Sequence, residues 1–322
     1  MAKIYVLHEN DEWTEPLKTA LKALNIPFEL WHMADGAFNV LDTPPEGVYY
    51  NRMSASSHTR GHRYAPEYTS AVLHWLESHN RIVYNGTQAL QFELNKAMQY
   101  AHLEKNNIQV PKTYVAMSKE DIIKSAKKMD GPFITKHNRA GKGLGVRLFY
   151  SIQGLVDYLD HEFEPSIDGI TLIQQYVESK SKTITRSEFI DGKFLYAVEV
   201  DTSEGFELCP ADACSIAIDS CPTTETPMEK FRILSEFNPS LIAQYEAFLR
   251  DARIQFAGIE SIQDEEGNTY TYDINTNTNY NSDAEQKANL FGMREIATAL
   301  KNRLEKEFPQ AITGTLSEKS GD

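Results

Sequence analysis

Toward the C-terminus, "YTYDINTNTNYN" (residues 270–281) begins as an alternating strand, then sets one acid, Asp273, among four asparagines and three threonines. Asparagine is a poor strand former, and a buried amide left unpaired costs about 1–3 kcal/mol. Such a segment is either solvated or holds a ligand. Just upstream, "FAGIESI" carries Glu260 and is joined to the first stretch through "DEEGN". Asn275 lies two residues past Asp273, so in an extended chain both face the same side. Two carboxylates and an amide oxygen are hard donors of the kind Mg²⁺ takes when it is shared with phosphates. The plainer alternative is a solvated edge strand with scattered acids.

Two further stretches could act on anions. In "GPFITKHNRAGKGLGVRLFYS", apolar runs flank a loop with Gly141, Gly143 and Gly145 beside Lys136, Arg139 and Lys142. Glycine lets backbone N–H groups approach phosphate closely, although a mobile hairpin tip also uses it. The second stretch, "YNRMSASSHTRGHRY" (residues 50–64), holds Arg52, Arg60, Arg63, His58, His62 and three serines, with no acid. Clustered cations of this kind suit a carboxylate ligand, the guanidinium fork matching its geometry, or else they form a solvated loop. No Ser/His/Asp or Cys/His catalytic set is evident. His8, His58, His62 and His137 read first as solvated or structural, with orientation of a substrate as the alternative.

The elements that must position these groups can be read from periodicity. "KIYVLHE", "PFELWHM", "GVYY" and "RIVYN" are strand-like and alternate with the helical patterns "EPLKTALKALNI" and "SAVLHWLESHN". This alternation predicts a small parallel α/β layer with ligands beyond the C-terminal strand ends, which places His8, Glu9 and the loop after Tyr50 near a site. The stretch "TQALQFELNKAMQYAHLEKNN" has helix-forming composition, and the glycine-tipped hairpin, the strand "TLIQQYVES" and a second hairpin in "TITRSEFIDGKFLYAVEV" follow. Asn238 and Pro239 open a helix with an apolar face, and "MREIATALKNRLEKEF" forms the last one. The tail after residue 310 is expected to be disordered.

Bulk properties exclude several function classes. The chain has 322 residues and a formal net charge of −14, which argues against an extended phosphate-backbone footprint and hence a nucleic-acid partner. No 18-residue apolar run or signal peptide is present, so the expected location is cytoplasmic, with no membrane partner. The three cysteines, Cys209, Cys214 and Cys221, are too few for a disulfide framework and lack a CxxC pair, so reduced thiols in or near a loop are expected. The length predicts two or three subdomains.

A lysine in a helix, a second before a glycine-rich hairpin, an apolar strand ending "IQQYV", an arginine on a following strand and then a strand acid with D-x-N, taken in that order, resemble the ATP-grasp superfamily. Within it they resemble the RimK-like carboxylate-amine ligases. The resemblance implies an α/β fold (α+β ATP-grasp), with an N-terminal Rossmann-like domain over residues 1–88. Two ATP-grasp subdomains over 89–177 and 178–310 would hold ATP between them, and 311–322 would be a flexible tail. By the same resemblance Lys96 and Lys136 contact the phosphates, and the glycine loop closes over them. Gln174, Gln175, Tyr176 and Val177 read the adenine edge through their backbone. Arg186 stands near the transferred phosphate, Glu260, Asp273 and Asn275 hold Mg²⁺ (with Mn²⁺ as the alternative ion), and Asn277 belongs to the substrate pocket. The chain departs from the pattern at Asn95 and Ile184, where the family often has Asp, and in the "TNTNYN" after the metal strand. The implied activity is an ATP-dependent ligation of a carboxylate to an amine of an amino acid or peptide. A phosphotransferase on a small anionic substrate and a nucleotide-binding protein without turnover are the alternatives, and a homodimer stays open.

Overall fold

The structure, a computed structural model, describes residues 1–141, 143–202, 230–234 and 236–310. Lys142, the three cysteines and the tail beyond residue 310 lie outside them. The chain begins with β1 (Lys3–His8), α1 (Asp11–Ala23), β2 (Phe28–His32), β3 (Gly47–Asn51), α2 (Ala65–Ser78) and β4 (Ile82–Tyr84). Their apolar runs form a parallel sheet in the order β2-β1-β3-β4. A short 3₁₀ turn, Ser57–Arg60, breaks the loop that leaves β3. The first helix starts earlier than its leucine spacing suggests, because the Asn10 side chain accepts from Trp13 N–H and caps it.

The helix-forming stretch after β4 folds as two helices, α3 (Thr87–Leu94) and α4 (Lys96–Lys105). Asn95 between them is extended, with φ −143° and ψ 97°, and its side chain accepts from Met98 N–H. The composition favours helix throughout, yet a local N-cap bond competes with continuation. That break sets Lys96 at the first position of a new helix. Next come β5 (Thr113–Ala116), α5 (Lys119–Ala126), β6 (Phe133–His137), β7 (Arg147–Phe149), α6 (Ile152–His161) and β8 (Thr171–Gln175). They build an antiparallel sheet in the order β5-β8-β6-β7. A third sheet, antiparallel in the order β11-β10-β9-β12-β13, follows. It contains β9 (Thr183–Ile190), β10 (Lys193–Asp201), β11 (Phe231–Leu234), β12 (Ala257–Gln263) and β13 (Thr269–Asn275), with α7 (Pro239–Asp251) inserted and α8 (Ser282–Ala288) after it.

The last helix, α9 (Gly292–Glu307), is contiguous in sequence with the third sheet, but its apolar face packs on the first. Met293, Ile296, Ala297, Leu300 and Leu304 share a core with Ile4, Val6, Leu17, Leu21, Val48 and Tyr50. These partners lie far back along the chain, while Ile190, Phe256 and Tyr280 pack on the same core, so the helix joins the first and third sheets. Two buried polar residues bind the layers further. Asn85 Nδ2 donates to the Phe256 and Thr276 carbonyls, each at 2.8 Å, while its Oδ1 accepts from Gln255 and Phe256 N–H at 2.9 and 3.1 Å. Glu93 accepts from Ala55 N–H at 3.1 Å and from Thr276 N–H at 2.8 Å.

Candidate active site

Between the second and third sheets lies a cavity of about 560 Å³. Its walls bring together Lys96, Lys136, Arg186, Glu260 and Asp273, with Asn275. They also include Ile134, Leu144, Ile184 and Ile262, the segment Gln174–Val177, and the charged Glu178, Lys180, Lys182 and Glu265.

Each charged side chain is placed by a backbone constraint. Antiparallel pairing sets Glu260 opposite Asp273 on one side and opposite Arg186 on the other. Cross-strand neighbours in such a ladder stand close enough for their side chains to interact. Asn275 Nδ2 donates to Glu260 Oε1 at 3.3 Å. Arg186 can lie across β12 because residue 258 is glycine: a Cβ there would sit 2.5 Å from the guanidinium. Its Nε donates to Glu188 Oε1 at 2.6 Å and its Nη1 to Glu260 Oε1 at 3.2 Å. From the opposite sheet, Lys136 on β6 donates to Tyr100 Oη at 3.0 Å and to the Tyr272 carbonyl at 3.1 Å. Lys96 reaches Asp273 from the start of α4. That helix start is held by Asn138, whose Oδ1 accepts from Ala97 N–H at 2.9 Å and whose Nδ2 donates to Asp168 at 2.7 Å.

Burial makes these charges interdependent. Desolvation pushes the Glu260 carboxyl up, and the facing Asp273 charge adds to the rise. Burial opposes ionisation of Asp273 as well, but the Lys96 and Lys136 charges outweigh it and hold that carboxyl below its ordinary value. Desolvation lowers Lys136. Glu188, buried behind Arg186, is driven up to about 7 by desolvation, which its Arg186 contact only partly offsets. Lys96, Lys136 and Arg186 compensate part of the Glu260 and Asp273 charge, while desolvation still opposes ionisation of Glu260. With the Asn275 amide, these two carboxyls form an oxygen set that fits Mg²⁺.

The glycine loop joins β6 to β7 over the cavity. Gly143 and Gly145 adopt left-handed conformations, with φ 72° and 73°, and a Cβ on Gly145 would run into the His137 ring. Gln174 is buried and donates to Thr113 Oγ1 at 2.9 Å. The N–H groups of Gln175 and Tyr176 are bonded to the Lys112 and Pro132 carbonyls. Any backbone donation toward a purine edge therefore falls to the other groups of Gln174–Val177.

The basic loop does not have the character its sequence suggests. Read alone it has no acid, yet the fold supplies two. Arg60 pairs with buried Glu9, which also meets His62 Nδ1 at 2.9 Å, and Arg63 meets Glu67 at 2.9 Å. Glu67, shared with Arg139 at 2.8 Å, is drawn down to about 2, the two arginines overcoming its partial burial. Arg52 is buried and donates to the carbonyls of Trp13 and Thr278 and to Asn279 Oδ1. The loop does lie against the base of the glycine hairpin, since a Cβ on Gly141 would come within 3.4 Å of Ser56. Arg52, Arg60, Arg63 and Asn277 stand outside the lining of the main cavity.

The crowded amides after Asp273 have mostly structural duties. Thr276 binds Glu93, Asn279 binds Arg52, and Asn281 caps α8 through Ala284 N–H. Residues that sequence reasoning passed over include Tyr100 and Tyr272 around Lys136, the Asn138 clamp, and Glu188. Only the R-x-E spacing of Glu188, on the same strand face as Arg186, left a readable trace.

Comparison with known proteins agrees with this geometry. Residues 94–207 match the RimK-like ATP-grasp domain. A stretch of 98 residues is 32% identical to D-alanine--D-alanine ligase of Wolbachia pipientis wMel, covering 30% of this chain and 30% of that protein. The chain thus spans about 30% of the length of the curated relatives it matches. The crystal structure of a RimK domain ATP-grasp protein from Sphaerobacter thermophilus superposes with a TM-score of 0.64 at 14% identity, over 92% of this chain and 99% of that one. ATP-grasp ligase PsnB complexed with minimal precursor gives 0.66 at 15% identity, over 94% and 99%. The chain therefore has the ATP-grasp fold, and its residues 94–207 match the RimK-like ATP-grasp domain.

Proposed function

We propose that the protein is an ATP- and Mg²⁺-dependent ligase that joins a carboxylate to an amine of an amino acid or peptide. The observation that carries this reading is the convergence of Lys96, Lys136 and Arg186 on the Glu260/Asp273 pair in a cavity whose walls also include Ile134, Leu144, Ile184 and Ile262. Phosphoryl transfer needs charge neutralisation and alignment more than a nucleophilic side chain, and this set supplies both. Mg²⁺ would be held by Glu260, Asp273 and the Asn275 amide oxygen, and when bound it supplies charge neutralisation at the phosphates. Lys96 and Lys136 bind phosphate oxygens, and Gln174–Val177 border the purine. Arg186 stabilises the charge that moves from the nucleotide to the substrate.

In the first step a substrate carboxylate oxygen attacks the terminal phosphorus, the bond to ADP breaks, and an acyl phosphate forms. In the second an amine attacks the acyl carbon, inorganic phosphate leaves with the bonding pair, and the amine gives up a proton to form the amide. The structural likeness to ATP-grasp ligase PsnB, solved with precursor peptide PsnA2, supports a peptide as one substrate. The test combines phosphate release from ATP, Mg²⁺ and pooled amino acids or short peptides with product masses. A product lighter than its two precursors by one water, formed together with phosphate, is expected. A stable phosphorylated product without phosphate release would replace this reading with a phosphotransferase.

A further inference from the structure

At the C-terminal edge of the N-terminal sheet, His8 ends β1 and His32 ends β2. The strands are parallel and pair these residues in register, so the imidazoles stand side by side, 5.3 Å apart between centroids and nearly perpendicular. Asp11 opens α1 three residues later, with Oδ1 3.8 Å from His8 Nδ1. One ligand atom from each of the three residues lies within 4.8 Å of the others. His8 is 2% exposed, and its Nδ1 has no hydrogen-bond partner among the described residues. A buried nitrogen left so is unfavourable by about 1–3 kcal/mol unless something binds it.

We propose that His8, Asp11 and His32 bind one transition-metal dication of the zinc class, at a site separate from the Glu260/Asp273 pair. Two imidazoles and a carboxylate select such an ion over Mg²⁺, which prefers an all-oxygen shell. Metal–ligand distances of about 2.0–2.2 Å in a tetrahedron put ligand atoms roughly 3.3–3.6 Å apart. Reaching that spacing requires movement mainly of Asp11, whose side chain is 87% exposed, and of half-buried His32. His32 Nδ1 has only a long contact, 3.4 Å from Ala34 N–H, to give up. Glu9, though adjacent, is engaged by Arg60 and His62 and takes no part. Three protein ligands leave a fourth position for water on the side where Asp11 meets solvent. A bound ion would pin the start of α1 to both strands.

The test uses the full-length protein, stripped with a chelator, free of nucleotide, and titrated with Zn²⁺ alone against a chromophoric competitor. Co²⁺ absorption reports the geometry. One equivalent should bind, with tetrahedral cobalt bands, and Asp273→Asn should leave it unchanged. Asp11→Asn, at an exposed position that the fold does not need, should weaken binding at least on the order of 10-fold. His32→Ala should weaken it on the order of 100-fold or more, beyond the 10–100-fold typical of losing a partner behind the ligands. Absence of binding to the wild-type chain, wild-type affinity in Asp11→Asn, or loss of the equivalent in Asp273→Asn would each overturn the proposal. Should His32→Ala fail to fold, the Asp11→Asn titration decides.

Discussion

Asp273→Asn separates the electrostatic role of this site from its shape, because the side chain keeps its size and one acceptor oxygen. Breaking a fully buried ion pair costs about 3–5 kcal/mol. Two features reduce that figure here. The Asp273 side chain is 16% exposed, and the change removes a like charge facing Glu260, so part of the loss at Lys96 is returned by relief at the carboxyl pair. The net destabilisation expected is about 1–3 kcal/mol. At roughly 2–4 °C per kcal/mol for a chain of this size, the melting temperature should fall by about 2–12 °C, and the protein stays folded at 25 °C. Turnover should suffer more. The variant loses the charge that, on the proposed reading, holds the metal and balances Lys96 against the phosphates. A drop of at least about 100-fold, near 2.7 kcal/mol at 1.36 kcal/mol per tenfold, is expected. The assay couples phosphate release with thermal unfolding in the presence of ATP and Mg²⁺. Ligand at about 100 times its Kd adds about 2.7 kcal/mol to the wild-type protein, and the variant should show much less of that gain. Wild-type turnover together with an undiminished nucleotide shift would refute the assignment of Asp273.

Hydrogen exchange of residues 143–146 should slow markedly on adding ATP with Mg²⁺, because the left-handed Gly143 and Gly145 and the exposed Leu144 leave that hairpin tip little to close on alone; equal protection in both states would speak against it. The Glu188 carboxyl, followed by ¹³C chemical shift, should titrate near pH 7 rather than near 4.5. A raised folded-state value means its stabilising contribution is complete below about pH 4.5 and is lost as pH rises through 7, so titration below pH 5 would contradict the burial argument. Arg186→Met should lower kcat by at least about 100-fold while changing the KM for ATP little, the pattern of a contact made in the transition state, and steady-state kinetics can separate the two. Asn85→Ala, which strands four buried backbone groups between the layers, should cost more than about 3 kcal/mol in denaturant unfolding, and a loss below 1 kcal/mol would show that water replaces the side chain.

Much of this site was legible in one dimension because its spacing is local. Asp273 and Asn275 share a face through the two-residue strand period, and Glu260 faces them across a short connection whose strand pairing follows from the apolar pattern. The glycine hairpin and the N-terminal alternation of strand and helix are likewise short-range signals. What the sequence could not reveal comes from partners brought together over long separations. The loop at residues 50–64 looked like a cluster of unneutralised cations because Glu9, which pairs with Arg60, is brought to it only by the fold, whereas Glu67 meets Arg63 through a local spacing just past the stretch. The helix break at Asn95 depends on one capping bond and on Asn138, 43 residues on, in a helix-favouring composition that carries no mark of it. α9 follows the third sheet in sequence yet completes the core of the first, because that sheet would otherwise leave an apolar face uncovered. The strength of each charge was also undecided until burial was known. Desolvation raises Glu260 and Glu188 while Lys96 holds Asp273 down, and desolvation is a property of the packed protein that residue identity alone does not contain.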